Sequence, residues 1–129
     1  MGEKVEIEKP KENKILSQEQ YSLSCKTHYY TDITIGGDII EESYIKISEG
    51  HENATINVNN EAATFFGADF IVLDDNPSYL VMMRYYDVSG LTEVVSINKD
   101  TGIGFDIKTL TFGFSGAPNT TTYLINCYE

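Results

Sequence analysis

A chain of 129 residues with 41% hydrophobic content and a formal charge of −11 suits one domain with a core of its own. No stretch reaches the roughly 18 apolar residues of a transmembrane helix, so membrane insertion by a helix is excluded. The acidic balance also excludes a phosphate-neutralising surface, so direct nucleic-acid binding is not expected, and a protein partner would be a basic one.

Residues 1–14 read as a flexible charged tether. Their four glutamates and four lysines cancel, which leaves the whole formal charge on residues 15–129, the single β-domain. No apolar h-region opens the chain, although an exported precursor that had already lost its signal peptide would look the same. Ser17 with Gln20 three positions on fits a capping box and predicts one helical turn.

From Tyr21 the side-chain period is two. Tyr21, Leu23, Cys25, Thr27 and Tyr29 share one face of a strand, and Ser22, Ser24, Lys26, His28 and Tyr30 share the other. Gly36-Gly37 predicts a two-residue hairpin turn ahead of the strand that contains Tyr44. "NATINVN" is a short strand, and "ADFIVLDD" an apolar run closed by the turn residues Asp74-Asp75-Asn76-Pro77. "SYLVMMRYYDV" is a second apolar run, expected to be covered on both faces. "LTEVVSIN" pairs across "KDTG" with "IGFDIKTLTFGF", and "TTTYLINCYE" ends the chain. The pattern predicts an all-β fold of about eight antiparallel strands in a meander, closed or strongly bent into a barrel, with a β-sandwich as the alternative.

Asn98, Asp100, Gly102, Gly104 and Asp106 fall on alternate positions, which raises a cation loop and a phosphate loop as readings. An EF-type loop counted from Asn98 lacks its closing glutamate, because Thr109 stands there. A phosphate cradle needs a helix after the glycines, whereas a strand follows. Asn98-Lys99-Asp100-Thr101-Gly102 instead fits a bulged hairpin with glycine at positive φ, and Gly104 marks a sharp bend in the next strand. The phrase "SINKDTG", followed by two strands and a cysteine near the terminus, resembles small uncharacterised bacterial and phage β-proteins with an Ile-Asn-Lys-x-Thr-Gly hairpin late in the chain. The resemblance covers about the last forty residues and implies no activity.

Cys25 lies on the first strand and Cys127 on the last, so closure would make them neighbours and a candidate disulfide. A bridge implies an oxidising, secreted or periplasmic setting, and two free buried thiols a cytoplasmic one. The two cysteines with His28 and His51 have no metal-ligand spacing, and no cofactor motif is present. No catalytic set emerges either, so the chain is not read as an enzyme. Arg84, the single arginine, sits in an apolar strand and calls for a buried acid, either Asp87 or a cross-strand carboxylate.

Tyrosine occurs nine times and tryptophan never. Tyrosine suits contact surfaces, so Tyr30, Tyr44 and Tyr86 with Glu42 and Asp87 are the candidate binding face. The expected function is a non-enzymatic acidic interaction module, of inhibitor, immunity or anti-defence type. The alternatives are a barrel carrying a small apolar ligand and an exported structural domain.

Overall fold

The computed structural model describes residues 20–34, 44–50, 52–112 and 118–129. Its strands in chain order are β1 Gln20–Thr34, β2 Tyr44–Glu49, β3 Asn53–Asn59, β4 Ala62–Phe65 and β5 Ala68–Asp75. They are followed by β6 Tyr79–Tyr86, β7 Leu91–Asn98, β8 Ile103–Leu110 and β9 Asn119–Tyr128. β2 and β3 lie end to end along one edge of β1, against Tyr29–Thr34 and Gln20–Lys26 respectively, and so fill one position in the sheet. Eight antiparallel positions therefore run from β1 to β9. The sheet closes where β9 pairs with β1 between Ser24 and Thr34. This is the closed barrel that the period of two predicts, and closure removes the sandwich alternative. The 1–14 tether, the Gly36-Gly37 turn and Ser17 lie outside the described residues, while Gln20 already belongs to β1.

The turns follow from local chemistry. Phe66 and Gly67, at φ 53° and 74°, join Phe65 to Ala68 in a two-residue turn whose mirror-image twist suits a hairpin. At the β7–β8 turn the Gly102 N–H donates to the Asn98 carbonyl at 2.7 Å, with Gly102 at φ 79°. The Asn98 side-chain oxygen accepts from the N–H groups of Asp100 and Thr101. That carboxamide is spent on its own turn, so the stretch is the bulged hairpin rather than a ligand loop. Gly104 matters for close approach, because a Cβ there would come within 2.1 Å of the Ser96 carbonyl oxygen. β4 is absent from the sequence reading, since "NNEAATFF" has no alternation longer than four residues.

Leu23, Ile56, Phe65, Leu80, Val95 and Ile125 point inward and are buried in one core. Each such side chain contributes about 1.5–3 kcal/mol by leaving water. Cys25 and Cys127 face each other across β1 and β9, both buried, with their sulfurs at disulfide distance.

Two expectations are corrected. β6 is covered on one face only: Tyr79 and Tyr85 stand on the outer wall, because a closed barrel has a single interior. The faces of β1 also exchange halfway along. Its register with β9 shifts between Thr27 and Tyr29, so His28 is an extra residue and the alternation flips beyond it. Tyr29 is exposed and Tyr30 half-buried, the reverse of the unbroken alternation. The bulge is stitched to the β2–β3 junction. There the Gly50 N–H donates to the His28 carbonyl, and the Thr27 N–H to the Glu52 carbonyl.

Candidate functional site

Polar side chains enter the barrel at both ends, with different consequences. At the end holding the β7–β8 turn, Lys99 folds back inside and is fully buried. Its ammonium pairs with the Asp75 carboxylate and lies 5.3 Å from the centre of the Tyr21 ring. The Tyr21 hydroxyl donates to the other Asp75 oxygen at 2.9 Å. Burial, then the hydrogen bond and charge of Asp75, push the Tyr21 phenol above its usual range. Three mutually satisfied groups thus plug this end.

The opposite end, which includes the β4–β5 and β6–β7 turns, is an open mouth among the described residues. Ladder partners stand side by side, so inward residues form rows round the wall. One row runs Met82, Val95, Asp106, Tyr123 and Tyr30, and the next runs Arg84, Glu93, Lys108, Thr121 and Asp32. The wall thus turns from apolar to charged within one pleat.

The Arg84 Nε donates to Glu93 Oε1 at 2.7 Å, which identifies the cross-strand acid rather than Asp87 as its partner. The guanidinium also lies 5.6 Å from the Phe70 ring centre and 5.3 Å from that of Tyr86. Asp106 is only 2% exposed. Burial raises its carboxyl well above the ordinary range, reinforced by a hydrogen bond to Glu93 and the charge of that acid, with Lys108 and Arg84 opposing. Tyr123 is pushed up to about 12, by burial first and then by the charges of Asp106 and Asp32. Thr121 donates its hydroxyl to Asp32 at 2.6 Å, and Tyr30 and Tyr123 pack with ring centres 5.6 Å apart.

These groups line two adjoining hollows that share Glu52 and Tyr123. One, of about 230 Å³, is bordered by Arg84, Glu93, Asp106 and Lys108 and by Phe65, Phe66 and Ala68. The other, of about 390 Å³, is bordered by Thr27, Tyr30, Glu49 and Gly50. Phe66 sits at the rim in the left-handed region, where an aromatic residue is uncommon, with its ring 4.6 Å from that of Phe65.

The candidate face chosen from sequence is dispersed around this mouth. Tyr30 lies inside it, and Tyr86 stands at the end of β6 over Arg84. Asp87 begins the exposed β6–β7 turn, and the backbone of Tyr44 opens β2 on the rung of Thr34 and Asn119. Glu42 lies outside the described residues. Sequence reasoning missed Glu93, Asp106 and Lys99. For Glu93 alone a signal existed: it shares the face of Leu91, Val95 and Ile97, and an acid on an apolar face is an acid inside. Lys99 gave none, because a lysine in a hairpin turn normally faces water.

No protein-family model matches the chain, and no curated protein or solved structure matches it.

Proposed function

We propose that this chain binds a small polar molecule in the mouth of its barrel. The observation that carries the reading is the charged row Arg84, Glu93 and Lys108, set directly above the apolar core and bordering the smaller of the two adjoining hollows. Buried charge on an inner wall costs stability, whereas the same positions filled by Leu or Val would stabilise the barrel. Ligand pockets have this make-up: apolar walls with a few convergent polar groups. The sequence pattern alone suggests an apolar cargo for a barrel of this kind, whereas the charged lining argues for a polar one. The buried Cys25–Cys127 pair supports an oxidising compartment as the setting.

Amide NMR of the oxidised full chain, titrated with a set of small cationic, neutral and anionic compounds, tests the reading. Binding should shift Tyr30, Arg84, Glu93, Asp106 and Tyr123, and Ala68→Phe, which fills the smaller hollow, should abolish the shifts there. Shifts confined to the outer wall would overturn it.

A second reading, docking of a protein partner, draws on that outer wall. The outward positions of β6 to β9 include Val81, Met83, Val94, Phe105 and Ile107 and carry no Asp, Glu, Lys or Arg, in a chain of net charge −11. Such a surface fits an uncharged apolar partner better than the basic one that overall charge suggests. Loss of complex formation on Phe105→Glu would support it.

A further inference from the structure

We propose that the smaller hollow receives a molecule bearing a protonated nitrogen, an ammonium or amidinium, beside an apolar ring or chain, and that Asp106 is the carboxyl that takes the nitrogen. This rests on the ligand-binding reading above and specifies its ligand class.

Three observations converge. Asp106 is 2% exposed and borders the hollow, and its Oδ1 has no hydrogen-bond partner among the described residues. A buried acceptor left unpaired is unfavourable, and a donor entering the hollow removes the penalty. Next, acids outnumber bases around the space. Glu52, Glu93 and Asp106 stand against Arg84 and Lys108, and Arg84 is already committed to Glu93. The adjoining hollow adds Glu49 and no base. Finally, Phe65, Phe66 and Ala68 complete the lining with apolar surface, so the fitting molecule has a charged end and an apolar body.

The charged and titratable groups around Asp106 are Glu93 on β7, Arg84 on β6, Lys108 on β8 and Tyr123 on β9, with Asp32 on β1 and Glu52 acting on Tyr123. In the empty site burial keeps the Asp106 carboxyl protonated near neutral pH, beside Glu93. An incoming cation supplies the charge that the proton supplied. The O–H proton leaves to water, and an N–H donor from the ligand faces the resulting carboxylate. Binding therefore tightens as pH rises towards the titration of Asp106, on the order of tenfold per pH unit, and levels off above it.

The probes are benzylammonium, benzyl alcohol and benzoate, which share a ring and differ in charge. Each is titrated into the oxidised full chain at pH 6, 7 and 8, with amide NMR as the readout. Benzylammonium should shift Glu93, Asp106 and Tyr123, bind roughly tenfold tighter at pH 7 than at pH 6, and outcompete both other probes. Asp106→Asn keeps the shape, and with its fold verified by a cooperative urea transition it should weaken benzylammonium at least about tenfold at pH 8 and remove the pH dependence. Equal or tighter binding of the alcohol or benzoate, or an unaltered Asp106→Asn, overturns the assignment of a cation while leaving the ligand pocket standing. If no probe of any charge shifts the mouth residues, both the assignment and the pocket fall.

Discussion

Replacing Asp106 by Asn isolates the cost of the buried carboxyl. Burial and Glu93 push this group from its ordinary 3.8 to about 8. Between those values the unfolded chain has released its proton and the native chain keeps it. The stability contributed by the group is therefore complete below pH about 4 and drains away as pH rises towards 8, by about 1.4 kcal/mol per unit. The slope flattens near the upper value, so the loss between pH 6 and pH 8 integrates to about 2 kcal/mol. Asparagine has the same shape and does not titrate, and its amide can donate to the Glu93 carboxylate. Urea unfolding of both proteins with the disulfide intact, at pH 6, 7 and 8, should show Asp106→Asn gaining about 2 kcal/mol on the parent across that range. All other ionisable groups are common to both proteins and cancel in the difference. A difference constant to within about half a kcal/mol would refute the reasoning, since it would mean that Asp106 ionises as readily inside the barrel as outside.

Glu93→Ala leaves the Arg84 guanidinium largely buried without its acid and should cost about 3–5 kcal/mol in denaturant unfolding. The double change Arg84→Met/Glu93→Leu should cost far less. Lys99→Met should destabilise by about 3 kcal/mol, with part recovered on adding Asp75→Leu, as a double-mutant cycle would register. Oxidised protein unfolded without reductant should show no free thiol, and reduction should remove up to about 4–5 kcal/mol, because the bridged residues are 102 apart. Gly104→Ala should cost about 1–3 kcal/mol in the same assay, since its Cβ meets the β7 backbone rather than a movable side chain.

The barrel was legible from sequence because its cause is local. Alternation from Tyr21 onward and turn residues near Asp74-Asp75-Asn76-Pro77 and Asn98–Gly102 set strands and hairpins without long-range knowledge. Closure was legible only through the cysteines, whose shared inward faces need β1 beside β9. The mouth was not legible, for two physical reasons. The bulge at His28 leaves no compositional mark, yet it exchanges the faces of Tyr29 and Tyr30 and turns a presumed surface tyrosine into a pocket residue. On β8 the hydrophobic rule points the wrong way: Phe105 and Ile107 face outward while Asp106 is buried. Alternation states that two faces differ, and only the neighbours on β7 and β9 decide which of them is inside.

The two polar ends of the barrel obey the same electrostatics, and comparing them separates closure from function. Each places an aromatic hydroxyl, an acid and a base inside the wall. At the Lys99 end the acid meets both donors: one Asp75 oxygen takes the ammonium and the other takes the Tyr21 hydroxyl. That cluster is complete, and a ligand would have to break it before gaining anything. At the mouth the base goes to Glu93, and Asp106 beside it has an oxygen with no partner among the described residues and a hollow in front of it. A fold under no demand beyond stability would fill that position with an apolar side chain, as Val95 fills the neighbouring one on β7. An unsatisfied acid held between a packed core and an open mouth lowers the stability of the empty barrel and raises that of the occupied one. The penalty in the empty state is thus the same quantity that a fitting ligand recovers on binding.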